Sequence, residues 1–461
     1  MSRPLVRALR LCAVVLGAAT LSRPVVAHAG SLAGSLRTVP APFWLVLLSG
    51  GGVVGVSFLF SSFVTDTETL DAVAARRLRL GLTAVADRFR PVVRWAGVAV
   101  LAGVVWAGLT GPRIPLANLA VLTVWVGWWA GFTMFTYLVV NLWPVVNPWR
   151  TLARAVRRVV GTEPRSLPER AGAWPAVVGL VVLVWVEVVS PVASDPRALA
   201  VAVLGYTAVT VTGAVRYGPS WFERVDPVAR VFRLYGLLAP IQRTDAGLTL
   251  RVPGSALVRY PDSMDGDDVA FVVALLWVTT YDGVVATVAW QATQARVAAV
   301  GVPAWLYSLV FAFVGFACFL AVYRLAARLA RATADTYVTA RFVAGWFAPA
   351  LLPIAAGYHL AHFLGYFLGL SPALVAVASS PLSPPAAVPV LALPAWFGGV
   401  QLALVVGGHL VAVWVAHARS FDVFPGRLQP LRSQYPFVAV TVAYTVTSLW
   451  VVAQPVAQSL T

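Results

Sequence analysis

The sequence predicts an all-α membrane protein, a polytopic helical bundle of about ten transmembrane helices that follow an N-terminal signal peptide. Of its 461 residues, 59% are hydrophobic and only 11% are charged, and the mean hydropathy is +0.81. These values lie far from those of soluble globular domains. The apolar residues also gather into segments of about twenty, which is the length that an α-helix needs to cross the hydrocarbon core of a bilayer.

The first 29 residues have the pattern of a secretory signal. Three arginines precede a short apolar stretch, which ends in small residues around Ala27 and Ala29. We therefore predict a signal peptide over 1–29 and a single multi-pass domain over 30–461. Cleavage after Ala27 would leave His28 as the new N-terminus, with an amine and an imidazole that together could bind a metal outside the membrane. Cleavage after Ala29 would remove it.

Ten apolar segments of helical length follow the predicted signal. We place the spans near 41–63, 92–110, 115–140, 174–193, 196–215, 269–290, 303–323, 343–370, 395–416 and 436–455.

The distribution of arginine predicts the orientation. All 34 basic residues are arginine, and the net charge is +16. If the mature chain starts outside, 26 of them lie in the loops that would be cytoplasmic, and only four lie in the external loops. This bias predicts a multi-pass protein of the cell membrane with both mature ends outside. We expect the arginine-rich loops to contact anionic lipid head groups, and no nucleic-acid-binding motif competes with that interpretation.

Titratable groups inside the predicted spans are the candidates for chemistry. The stretch Gly357–Tyr366 places His359 and His362 three residues apart, on one helical face, with Cβ atoms roughly 5–6 Å apart. The only acidic residues in the predicted spans are Glu187 and Asp282. An ionised carboxylate at mid-membrane costs roughly 2.5–3.5 kcal/mol, so each needs a partner, a cavity or a proton. A buried imidazole either hydrogen-bonds to a neighbouring helix or marks a site.

Depth suggests that these groups could share a site. At 1.5 Å per residue, Glu187, Asp282 and His359 each lie about 20 Å from the inner ends of their helices, and His409 lies lower. The residues fit three chemistries. They could bind zinc, copper or iron and activate water, with metal ligands from His359, His362, His409 and His28 and with Asp282 and Glu187 as catalytic groups. They could also relay protons in a permease, or, as a weaker alternative, bind haem.

Several short stretches, in this order, resemble a family of multi-pass bacterial and archaeal membrane proteins commonly labelled fenitrothion hydrolase. The stretches are LWPVVNPWR (Leu142–Arg150), RYGPSWF (Arg216–Phe222), TTYDG (Thr279–Gly283), YHLAHF (Tyr358–Phe363), GGHLVAVWVAHAR (Gly407–Arg419) and RSQYPF (Arg432–Phe437).

The resemblance implies hydrolysis of an organophosphate ester and a set of polar family positions at Asp282, His359, His362, His409 and His417. The chain departs from the family pattern at Ala418, where an acidic residue is expected. The leading hypothesis is an intramembrane His/carboxylate site that binds a transition metal and activates water. The alternatives are a proton- or metal-coupled permease and a membrane subunit that binds haem or scaffolds a partner protein.

Overall fold

A computed structural model describes residues 43–63, 72, 75–81, 83–245 and 247–454. The predicted signal peptide and His28 lie outside the described residues. Within these described ranges, eight helices are long and apolar enough to cross a membrane, which confirms a helical, multi-pass membrane architecture. They are Ala86–Thr110, Leu119–Leu138, Pro196–Tyr217, Gly266–Val285, Ala304–Ala334, Ala340–Ser379, Phe397–Val423 and Leu428–Ala453. The other two predicted spans correspond to shorter apolar helices, at Phe43–Ser61 and Trp174–Val189.

The longer helices and the strands have the following bounds, in chain order, with short helical turns between them. The helices are α1 Phe43–Ser61, α2 Thr83–Thr110, α3 Leu119–Leu138, α4 Pro148–Val160, α5 Trp174–Val189, α6 Pro196–Tyr217, α7 Pro227–Tyr235, α8 Gly266–Val285, α9 Val288–Ala299, α10 Ala304–Ala334, α11 Ala340–Ser379, α12 Phe397–Val423 and α13 Leu428–Ala453. The strands are β1 Arg77–Leu80, β2 Ile241–Thr244 and β3 Gly247–Arg251.

Several helices differ in length from the apolar segments that predicted them. The segment 269–290 is divided, because α8 ends at Val285 and α9 begins at Val288. Helix α10 continues eleven residues beyond the predicted end at 323 and includes Arg324 and Arg328. Hydropathy marks where a chain leaves lipid, whereas arginine is a good helix former, so a helix can continue past that point.

The three strands form a small antiparallel sheet with the order β1-β3-β2. Leu80 pairs with Leu248, and Thr244 pairs with Gly247 at the turn between β2 and β3. Gly247 has φ +95°, a conformation that favours glycine. The sheet joins the arginine-rich segment before α2 to the one between α7 and α8.

The other arginine-rich loops meet at the same end of the bundle. Each contact joins two of the loops that the arginine distribution assigns to the same side of the membrane. The contacts run from the Arg165 amide to the Arg216 carbonyl (2.8 Å), from the Met264 amide to the Gly345 carbonyl (3.2 Å) and from the Thr333 hydroxyl to the Arg432 carbonyl (2.8 Å). Together with the sheet, they bring all five arginine-rich loops to one side.

Helix α11 is held against α12 by two glycines. A Cβ atom on Gly357 would lie 2.8 Å from the Cα atom of Gly408, and a Cβ atom on Gly408 would lie 2.6 Å from the carbonyl oxygen of Pro353. The two backbones are therefore in direct contact, as is typical of small residues at helix crossings in membranes. This contact fixes the position of the helix that carries His359 and His362.

Candidate functional site

The central polar contact of the bundle joins α8 to α11. The Nε2 atom of His362 lies 3.4 Å from the Oδ2 atom of Asp282, and the two side chains are only 6% and 14% exposed. Gly283, the next residue, leaves room for the Tyr358 side chain, because a Cβ atom there would lie 1.8 Å from the hydroxyl oxygen of Tyr358. The sequence Asp-Gly thus supplies the carboxylate and lets α11 pack closely beside it.

Aromatic rings enclose this pair. The ring of Tyr358 is parallel to that of His362, with centroids 6.1 Å apart, and the ring of Phe363 meets His362 edge-on at 4.8 Å. Rings in these positions limit access of water to His362. Electrostatic interactions in such buried surroundings are stronger than in water.

Glu187 lies at the edge of the same region. It is buried on α5, which packs against α8. The second predicted intramembrane carboxylate therefore lies on a helix next to the one that carries Asp282.

His359 has a different partner helix. Its Nδ1 atom lies 3.1 Å from the hydroxyl oxygen of Tyr137 on α3, and the ring of Trp129 meets it edge-on at 5.7 Å. The ring of Phe363 lies 4.7 Å from that of His359 as well as 4.8 Å from that of His362. The two imidazoles of α11 thus make separate polar contacts, His359 with α3 and His362 with α8.

The part of α3 that faces His359 is wound as a π-helix over Leu122–Phe132. Such segments are rare and occur frequently at functional sites. This one packs closely on α11, since a Cβ atom on Gly131 would lie 2.6 Å from the ring of Phe367. The π-helical segment carries Trp129, and Tyr137 follows about two turns later in the α-helical end of α3, so that both contact the imidazole of His359.

The remaining two histidines of the described residues lie elsewhere on α12. The Nδ1 atom of His409 lies 2.8 Å from the Val405 carbonyl oxygen. Because a carbonyl only accepts, Nδ1 carries the proton. His417 likewise directs Nδ1 at the side-chain oxygen of Gln434, at 3.2 Å. That oxygen accepts, since the Gln434 amide nitrogen donates to Ser420. The first contact lies within α12, and the second joins α12 to α13.

The predicted metal ligands are not gathered into one cluster. Among the described residues, no group of three or more His, Cys, Asp and Glu side chains is arranged to hold a metal ion. A zinc site takes three or four protein ligands, and the contact between His362 and Asp282 supplies two. The metal roles assigned to His359, His409 and His28 stay predictions, with His28 outside the described residues.

Asp226, which sequence analysis did not identify as important, is buried at the N-terminus of α7. Its Oδ1 atom accepts hydrogen bonds from the Ala229 amide (2.9 Å) and the Tyr206 hydroxyl (2.8 Å). Burial raises the pKa of Asp226 to about 6, although the hydrogen bonds and the charge of Arg150 oppose the change. An aspartate before proline signals a helix start in the sequence, but its burial depends on the packing of α4, α6 and α7.

No family model, no curated protein and no solved structure matches this chain. The likeness of its short motifs to the fenitrothion hydrolase family stays a prediction from the sequence.

Proposed function

We propose that this chain is a proton-coupled permease of the cell membrane, with ten spans and both mature ends outside. The observation that carries the proposal is the 3.4 Å contact between His362 and Asp282 inside the helical bundle. Paired ionisable residues that face the interior of a membrane bundle are typical of proton relays in pumps and transporters. Helices α1 and α5 serve as the two additional spans, and α5, with 16 residues, is accommodated by local thinning of the bilayer.

The positions of the arginines support the proposed orientation. The five arginine-rich loops meet at one end of the bundle, and an excess of arginine marks the cytoplasmic side. In this orientation the loops face a leaflet that contains anionic lipid, which attracts them.

The protonation of the pair can be coupled to movement. An imidazolium and a carboxylate in contact attract each other and carry no net charge. Removal of the shared proton leaves a net negative charge, and addition of a second proton leaves a net positive one. Either change weakens the attraction between α8 and α11, because that attraction depends on opposite charges. A change in the proton content of the pair therefore biases the position of α11 against α8, as alternating access requires.

The proposal is tested in proteoliposomes under an imposed proton gradient. Charge movement is recorded on solid-supported membranes while a panel of ions and small metabolites is added. We expect at least one compound to produce a current that depends on the gradient and that Asp282→Asn abolishes. Asp262→Asn, at an exposed loop position, is the matched control and should retain the current. A current that survives Asp282→Asn would overturn the proposed role of the pair.

The motif resemblance favours a second candidate, a metal-dependent hydrolase of organophosphate esters. Metal content and an absorption spectrum of the purified protein separate the candidates. Near-stoichiometric metal that disappears in the His359→Ala/His362→Ala variant would favour the hydrolase, and a Soret band would favour a haem-binding subunit. Protein without either, purified without chelators, would support the permease.

A further inference from the structure

Two rows of arginine side chains lie on neighbouring helices at the arginine-rich end of the bundle. Arg90 and Arg94 are four residues apart on α2, and Arg150, Arg154 and Arg158 follow the same spacing on α4. Residues four apart on a helix lie on one face. Each helix therefore presents a row of guanidinium groups, and these five residues are called the arginine cluster below.

A direct contact between backbones brings the two rows together. Gly97 lies one turn beyond Arg94 on α2, and Val146 lies one turn before Arg150. A Cβ atom on Gly97 would lie 1.9 Å from the carbonyl oxygen of Val146, so only glycine fits at this contact. Arg94 and Arg150, the nearest members of the two rows, therefore lie one turn away from this contact.

The arginines of the cluster repel one another. Burial, and then the charges of Arg94, Arg150, Arg90 and Arg158, lower the pKa of Arg154. The main electrostatic influences on Arg154 are therefore those of other arginines.

Carboxylates of the described residues act on two members of the cluster, Arg90 and Arg150. Both oxygens of Asp87 accept from Arg243 at 2.9 Å, and its contact with Arg90 is longer, at 3.8 Å. Glu223 and Asp226 act on Arg150, and Asp226 also accepts from Tyr206 and from the α7 backbone. Among the described residues, the five arginines of the cluster therefore outnumber these three carboxylates, two of which are shared with other donors.

Several donors of the cluster also lack acceptors. The Nε atoms of Arg90, Arg94 and Arg150 are buried and have no hydrogen-bond partner among the described residues. A buried donor without a partner costs about 1–3 kcal/mol, and more when it is charged. Arg158 is exposed and the other four side chains are partly buried, so the cluster can be reached from the surface.

We propose that the arginine cluster is a binding site for a phosphate group that carries two negative charges, such as a phosphomonoester or a pyrophosphate. The planar guanidinium group matches phosphate oxygens in bidentate geometry, and several such groups can neutralise a dianion. The phosphate can belong to a lipid head group or to a soluble compound. The site does not depend on the proposed transport activity, because it shares no residue with the His362–Asp282 pair.

The test compares full-length protein in nanodiscs of two compositions. One contains phosphatidylcholine alone and the other contains added phosphatidic acid; inorganic pyrophosphate is titrated into the first. The readout is the midpoint of thermal unfolding. The variants are Arg154→Gln, in the cluster, and Arg328→Gln, an exposed residue of α10 that loses the same charge elsewhere. Arg94→Gln provides a second cluster variant.

We expect one of the two phosphates to raise the midpoint of the wild type and of Arg328→Gln. Arg154→Gln and Arg94→Gln should bind the same phosphate about tenfold more weakly, which corresponds to the loss of one charged hydrogen bond. A response to phosphatidic acid alone identifies a lipid site, and a response to pyrophosphate identifies a soluble ligand. In phosphatidylcholine alone, Arg154→Gln should be at least as stable as the wild type, because it relieves repulsion.

Two results would overturn the proposal. One is the absence of any shift of the wild type with either phosphate. The other is an equal response of Arg154→Gln and Arg328→Gln, which would show only general attraction between a basic surface and anions.

Discussion

His362 and Asp282 are in contact, with Nε2 and Oδ2 3.4 Å apart, whereas His359, one turn earlier in α11, is hydrogen-bonded to Tyr137. Helix α11 is therefore connected to α8 through a pair of ionisable groups and to α3 through a histidine–tyrosine contact. The two contacts differ chemically, since only the first can form an ion pair. We expect the first to couple the two ionisable residues energetically and the second to add the increment of one buried hydrogen bond to stability.

The contact between His362 and Asp282 predicts energetic coupling. In a double-mutant cycle of His362→Gln and Asp282→Asn, the effects on unfolding free energy should deviate from additivity by about 0.5–3 kcal/mol, as for other residues in direct contact. Denaturant titration in detergent micelles measures the cycle. His362→Gln combined with Asp262→Asn is the control, and its effects should add to within about 0.5 kcal/mol. Additive effects in both cycles would contradict the contact.

The hydrogen bond of Tyr137 to His359 predicts a difference between two buried tyrosines. Tyr137→Phe should lower the free energy of unfolding by about 1 kcal/mol, because it removes a buried hydrogen bond. Tyr235 is also buried, with its ring 5.4 Å from that of Tyr137, and its hydroxyl has no partner among the described residues. Tyr235→Phe should therefore have little effect. Equal losses for the two variants would show that the bond to His359 adds nothing.

The contact between α11 and α12 predicts that two adjacent glycines respond differently to alanine. Gly408→Ala places a methyl group 2.6 Å from the Pro353 carbonyl oxygen and should destabilise the protein by about 1–3 kcal/mol. A Cβ atom on Gly407 meets nothing within 4 Å, so Gly407→Ala should be neutral or stabilise by up to about 1 kcal/mol. Thermal unfolding of the two variants in the same detergent gives the comparison. The prediction fails if both substitutions are tolerated equally.

The buried carboxyl group of Asp226 predicts a dependence of stability on pH. Its pKa is about 6 in the folded protein and 3.8 as the ordinary value, so the folded state binds more protons between these two values. Stability from this group is fully present below pH 3.8 and is lost as the pH rises through about 6. The loss amounts to about 3 kcal/mol.

Substitution of Asp226 isolates that contribution. Asp226→Asn keeps an oxygen that can accept from Ala229 but cannot ionise, so the decrease in unfolding free energy over this range should disappear. Unfolding measured at a series of pH values on wild type and variant gives the difference. An unchanged pH profile in Asp226→Asn would assign the dependence to another group.

The guanidinium group of Arg419, near the C-terminal end of α12, predicts a large penalty for a conservative substitution. It donates to four backbone carbonyls, and lysine cannot reproduce this planar arrangement. The acceptors are the carbonyl oxygens of Leu257, Val258, Tyr260 and Trp346, at 2.8–3.1 Å. Arg419→Lys should lose about 3 kcal/mol or more, because a bond from a charged donor contributes about 1.5–3 kcal/mol. Arg328→Lys, at an exposed position, should change the unfolding free energy by less than about 0.5 kcal/mol.

Ionisable residues inside the apolar segments were recognisable in the sequence, but their uncharged partners were not. Asp282 and His362 are conspicuous because ionisable groups in apolar segments are costly. Tyr137 lies in an equally apolar segment, yet tyrosine is common in membrane helices, and nothing in its neighbours marks it as the partner of His359. From the sequence alone, Arg419 is assigned to a cytoplasmic loop in the same way as the other arginines near it. Its burial depends on the loop at 257–260, which lies about 160 positions away in the chain.

The sequence by itself determined the class of the protein, because long apolar segments can be buried only in a membrane or in a large core, and lipid requires them to be helices. It also determined which groups were available for chemistry. The tertiary structure decided which of those groups meet: His362 with Asp282, His359 with Tyr137, and the arginines of α2 with those of α4. Spacing along one helix determines which face and which depth a residue occupies. Contacts between helices depend instead on which helices are neighbours and on how closely they pack, as at Gly97, Gly283 and Gly357.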